Sequence, residues 1–158
     1  MYQDEIHYKG LCEIGKAIQA GKISSVAVTE KQFQRIETLD GHLKSYAMLM
    51  KEGALEAARR ADEEIEQGKV RGPLQGVPVA VKDLCWTVDA PTAFGTTLYK
   101  KFQATEDGTV VKRLRDAGAV ILGKVQLTEG ALTTHHPDIE PPVNPWNTDH
   151  WTGVSSSG

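Results

Sequence analysis

Cysteine is nearly absent: Cys12 and Cys85 are the two in 158 residues. They share no metal or redox spacing, and two are too few for a disulfide scaffold. Charge of one sign is also missing. Eighteen Lys+Arg stand against 21 Asp+Glu, for a formal charge of -3. Without a basic field to attract phosphate backbones, no nucleic-acid partner is expected. Long apolar runs are lacking too. Those around Val77–Val81 and Ala117–Leu122 fall far short of a bilayer span, so no membrane partner is expected. The opening MYQDEIHYKG has no basic start followed by an apolar stretch, which argues against a signal peptide and for a cytoplasmic protein. What is present is ordinary: 40% hydrophobic and 25% charged residues, a globular composition too apolar for wholesale disorder.

Periodicity divides the chain into a helical leader over residues 1–70 and a strand-containing region over 71–158. Leu11, Ile14 and Ile18 share a helical face, with Gly21 as the stop. Ser24 or Ser25 caps a second helix carrying Val26, Thr29, Phe33 and Ile36, interrupted at Gly41. Tyr46–Met50 reads as a short buried strand. Ala54, Ala57, Ala58, Ala61 and Ile65 line one side of a helix that Gly68 ends. After Gly72-Pro73 the period falls to two, with Val77, Val79 and Val81 alternating along a strand. Residues 89–97 form a loop. Val110, Val111, Leu114 and Ala117 mark a helix, and Ala119–Leu122 an all-apolar strand. This βαβ pattern predicts parallel strands in an α/β sheet covered on both faces. A further helix is expected near Leu127, then loop from Pro137. Two parallel strands and one short one are a thin sheet for this length, and the final Gly153–Gly158 run has no closing element, so a chain cut short is expected.

Two patterns are decoys. Gly118 to Lys124 satisfies the spacing of a phosphate-binding loop, but the residues between its glycines are themselves a strand, and Val125 stands where Ser or Thr would bind magnesium. His135-His136 with Asp138 has no second ligand cluster, which favours loop-anchoring histidines over a metal site. Lys82 carries more meaning. It ends the strand Pro78-Val-Ala-Val-Lys82, at the edge where parallel sheets place their crevices. There it is either a lysine that reaches water or pairs with Asp83, or an amine base made neutral by burial. Ser155-Ser156-Ser157 between Gly153 and Gly158 is either a linker or part of a proton relay.

Together these features resemble a known family. Gly72-Pro-Leu-Gln-Gly-Val-Pro-Val-Ala-Val-Lys-Asp-Leu84 is similar to the opening signature of the amidase signature family. Pro91-Thr92, the stretch Thr109 to Lys124, Asn144-Pro-Trp-Asn147 and Gly153-Val-Ser-Ser-Ser-Gly158 follow in the family's order. The resemblance covers the chain from about residue 10. It implies a single three-layer α/β/α domain with a mixed, mostly parallel central sheet, incomplete in this chain. It also implies amide cleavage by a Ser–cis-Ser–Lys triad. Lys82 matches the family lysine and Ser155 the serine preceded by a cis peptide. The acyl-accepting serine belongs to a later block, so the chain is expected to be inactive alone and to partner with its missing C-terminal half; a homodimer is left open. The backbone at Gly130 and Ala131 would line the acyl crevice. Neither metal nor organic cofactor is implied, and the partner is a small-molecule amide. Departures are Val154 for a glycine, Val125-Gln126 for Thr-Asn, and Gly130 for a larger apolar residue. The alternatives are the glutaminase subunit of a glutamine-dependent amidotransferase and a non-catalytic truncated module.

Overall fold

The computed structural model describes residues 6–158. The chain divides into two compact units. One comprises Met1–Ile36, Met50–Val79 and Arg113–Leu122; the other comprises Glu37–Leu49, Ala80–Lys112 and Gly123–Gly158.

The first unit is built on helices. Helix α1, Leu11–Gln19, buries Ile14, Ala17 and Ile18, the three- and four-residue spacing of one helical face. Gly21, at a φ of 65°, follows it. Helix α2 spans Ser25–Leu43. Ser24 proves to be its cap: its hydroxyl accepts the Ala27 N–H at 3.0 Å. Asp62 adds its carboxylate, accepting the N–H groups of Ser25 at 2.6 Å and Val26 at 3.0 Å. Three of the helix's orphan donors are thereby satisfied, with a negative charge at the positive end of its dipole. The Ser25 hydroxyl instead donates to the Gly76 carbonyl at 2.7 Å. The buried face carries Val28, Thr29, Phe33 and Ile36, whereas Val26 is only half-buried. Helix α3, Lys51–Glu66, buries Ala54, Ala58 and Ala61 and is followed by Gly68 at a φ of 72°. Ile6, Ile14, Ala17, Ile18, Ile23, Val28 and Val77 form one apolar cluster.

Gly41 does not interrupt α2. One glycine inside a helix costs only about 1 kcal/mol relative to alanine, and the helix runs on until Lys44 turns left-handed at a φ of 56°. Asp40 secures that exit by accepting the Ser45 N–H at 2.7 Å.

The sheet contains β1 (Tyr46–Leu49), β2 (Pro78–Lys82) and β3 (Val120–Val125), in the order β1-β3-β2. Helix α4, Thr109–Asp116, lies between β2 and β3 in the chain. At one end the Val120 N–H donates to the Val77 carbonyl at 2.9 Å; at the other the Asp83 N–H donates to that of Val125 at 3.0 Å. Both numbers rise together, so β2 and β3 are parallel, as the βαβ pattern predicts. Strand β1 runs antiparallel to β3, which makes the sheet mixed with one neighbour pair of each kind. β1 is an edge strand, with three of its four residues exposed rather than buried. β3 is buried from Val120 to Lys124, in keeping with its apolar run. Its Gly123 is required by the neighbouring strand, because a Cβ there would strike the Met48 carbonyl oxygen.

The helix expected near Leu127 is a tight 3-10 turn, Glu129–Ala131. Gly130 and Ala131 have φ values of 57° and 61°. Two successive left-handed residues cannot propagate a right-handed helix. From Pro137 onward the described chain has no regular element.

Candidate active site

The site lies within the second unit, where β2 ends. Lys82, half-buried, reaches the Ser155 hydroxyl with its side-chain nitrogen, with Nζ to Oγ at 2.8 Å. Seventy-three residues separate the two in sequence. Ser155 adopts a φ of 65°, and its N–H donates to the Thr128 hydroxyl at 3.1 Å. Gly153 at a φ of 101° precedes it.

The cis peptide implied before Ser155 is not present: no cis bond occurs among the described residues. A non-proline cis bond costs about 3–4 kcal/mol and persists only where its surroundings over-determine it. Here the turn is held by Ser155 N–H to Thr128 and Ser156 N–H to the Val154 carbonyl, contacts that a trans bond with a left-handed serine already satisfies.

Beneath this contact lies a buried polar network. Asp83, next to Lys82, does not pair with it. The Asp83 carboxylate meets Lys124 at 3.1 Å and accepts the Ala93 N–H at 3.1 Å. Its backbone carbonyl accepts the Phe94 N–H at 3.1 Å. Lys124, with 0% exposure, spends its remaining protons on the Thr92 hydroxyl at 2.8 Å and the Pro91 carbonyl at 3.1 Å. All three ammonium donors are therefore matched, the condition for burying a lysine at all. Burial pushes the Asp83 carboxyl above its ordinary range, and the adjacent Lys124 charge opposes that rise. The network fastens the end of β2 to β3 and to the 91–94 loop.

Sequence reading placed Lys124 only in a decoy motif and in a family block. The available signal was a lone lysine in an otherwise apolar, doubly covered strand, which demands a carboxylate partner. That the partner is Asp83 is a matter of strand register, invisible in one sequence.

Gly130 and Ala131 lie beside Thr128. The Gly130 N–H is engaged by the Phe94 carbonyl at 2.9 Å and the Ala131 N–H by that of Thr128 at 2.9 Å. A substrate carbonyl would have to compete with these partners. Of the two histidines, His136 is a loop anchor: its Nδ1 accepts the Asp138 N–H at 3.1 Å, and its Nε2 lies 3.2 Å from the Thr97 hydroxyl. Both ring nitrogens of His135, by contrast, are buried without a hydrogen-bond partner. Burial lowers the His135 pKa and so favours its neutral ring. No group of three or more His, Cys, Asp or Glu suited to a metal occurs among the described residues. None of the described helices is long and apolar enough to cross a membrane.

The profile of the family described as Amidase matches residues 27–158. This chain belongs to the amidase family. Over 156 residues it is 53% identical to the "Putative amidase AmiD" of Mycobacterium tuberculosis, covering 99% of this chain and 33% of that protein. It is 42% identical to a component of the glutamyl-tRNA(Gln) amidotransferase of Thermobifida fusca, over 92% of this chain and 30% of that protein. Among solved structures, the peptide amidase of Stenotrophomonas maltophilia superimposes with a TM-score of 0.86 at 32% identity, over 94% of this chain and 32% of that one. The chain thus spans about a third of the length of the amidase-family relatives it matches.

Proposed function

We propose that the chain supplies the base-and-relay half of an amide-hydrolysing site. The observation that carries this reading is the 2.8 Å contact between Lys82 Nζ and Ser155 Oγ at the end of a parallel strand. In the proposed reaction, Lys82 in its neutral form takes the Ser155 proton as Ser155 takes one from an acyl-accepting serine. By resemblance to the family, that serine lies in a later block of the full-length protein. It attacks the amide carbonyl, the proton returns through the relay to the leaving nitrogen, and water releases the acid. Neither metal nor organic cofactor enters this scheme.

The test is made on the complete gene product, scoring ammonia release from aliphatic and aromatic primary amides. Lys82→Ala and Ser155→Ala are each expected to lower turnover on the order of 10³-fold or more, with a non-additive double variant, because relay members act as a unit. Near-normal turnover by Lys82→Ala would refute the relay. The 42% identity to an amidotransferase component supports a second reading, a glutaminase that delivers ammonia to partner proteins. Ammonia release from glutamine alone, strongly increased by such partners, would select it. Absence of any amide turnover would leave a non-catalytic module.

A further inference from the structure

Thr128 joins the two halves of the site. It is fully buried, and its hydroxyl works in both directions, accepting the Ser155 N–H at 3.1 Å and donating to the Leu132 carbonyl at 2.8 Å. Its backbone carbonyl accepts the Ala131 N–H at 2.9 Å. One residue therefore fixes the left-handed turn at Gly130 and Ala131 and holds the backbone of the serine that Lys82 contacts. Ser155 is carried on a segment with no regular structure. Its nearest other backbone ties are the Ser156 N–H to the Val154 carbonyl at 2.8 Å and the Gly158 N–H to the Gln126 carbonyl at 3.1 Å. The Thr128 bond is the one that reaches the Ser155 backbone itself. A relay must hold its atoms at hydrogen-bond distance, and a shift of 1 Å costs on the order of 10²-fold in rate.

We infer that Thr128 is a positioning residue that sets the Lys82–Ser155 distance through its hydroxyl. This rests on the relay reading above. A packing role would need the threonine's shape; a positioning role needs its oxygen. Valine keeps the shape without the oxygen, and serine keeps the oxygen without the methyl. In the complete gene product, Thr128→Val is expected to lower kcat on the order of 10–100-fold with KM little changed, while Thr128→Ser retains most of the turnover. On the 158-residue chain, hydrogen exchange at the Ser155 amide should be protected in the parent and in Thr128→Ser, and on the order of tenfold faster in Thr128→Val. The reverse ranking, with Val active and Ser impaired, would overturn the inference. If Thr128→Val is insoluble, Thr128→Ala takes its place, and parent-like turnover and protection there would equally overturn it. Lys82→Ala run alongside separates the two ideas: an active Lys82→Ala refutes the relay, whereas an inactive one beside a normal Thr128→Val refutes only the role of Thr128.

Discussion

The two units of this chain are held by different physics. The first buries a continuous apolar cluster, from Ile6 through Ile18 and Val28 to Val77, and its buried polar residues are few: Ser25, Thr29 and Gln75 among those described. The second buries Asp83, Thr87, Thr92, Lys124, Thr128 and Ser157, and runs to long loops tied by several hydrogen bonds each, as the 91–94 loop is through Pro91, Thr92, Ala93 and Phe94. Apolar burial is non-directional and tolerates small rearrangements, while a buried polar network has one satisfactory geometry and a high cost for losing any member. The candidate site lies in the second kind of environment. Precise placement of Lys82 and Ser155 is what such an environment provides.

The sharpest way to break this contrast is to remove one partner of the buried ion pair. Lys124→Met should destabilise the protein by about 3–5 kcal/mol in urea unfolding, since it strands a buried carboxylate. Asp83→Asn combined with Lys124→Met should recover most of that loss, because the uncompensated charge is gone. A double variant as unstable as the single one would mean that the pair contributes packing rather than charge balance. In the first unit, Ile18→Ala should cost about 2–5 kcal/mol through lost burial and a cavity, with turnover of the complete gene product little affected.

Next in size is Gly118→Ala, also in the first unit. Gly118 sits at a φ of 80°, and a Cβ there would lie 2.9 Å from Gln75 Cγ. Strain and overpacking should cost about 1–3 kcal/mol in the same unfolding assay. The smallest effect concerns the first unit's surface. Arg71 donates to the Glu64 carboxylate, and Gln75 adds a bond at 2.8 Å. The Arg71 hydrogen bond is the main reason the Glu64 carboxyl sits below its ordinary range. A depressed carboxyl contributes stability that is present above its unfolded value and lost as pH falls through its native value. The unfolding midpoint of Glu64→Gln should therefore fall less steeply than the parent's on the acid side, and coincident curves would show that this exposed pair contributes nothing.

Much of the fold was legible from local pattern. The faces of α1 and α3, the left-handed glycines after them, and the strand–helix–strand order all follow from spacing and from what glycine permits. Where reading failed, a tertiary contact decided the outcome. Gly41 was absorbed because α2 is anchored at both ends by aspartates, Asp62 and Asp40. The stretch after Leu127 turned rather than coiled, with the Gly130 N–H bonded to Phe94 and the Thr128 hydroxyl to Leu132. In the site, Lys82 and Ser155 could be named from their motifs. Thr128 could not, because a threonine in a short polar stretch carries no spacing that announces a partner 27 residues away.

By itself, the sequence determined most of the helix and strand segments, the family, and the lysine and serine worth testing. Those properties depend on neighbours within a few residues or on ordered motifs, both of which a linear text preserves. Only the tertiary structure decided that Asp83 pairs with Lys124 rather than Lys82, that the bond before Ser155 is trans, and that Thr128 holds the serine. Each of these depends on which groups lie within about 3 Å across different strands and loops, and that distance is set by how the elements pack.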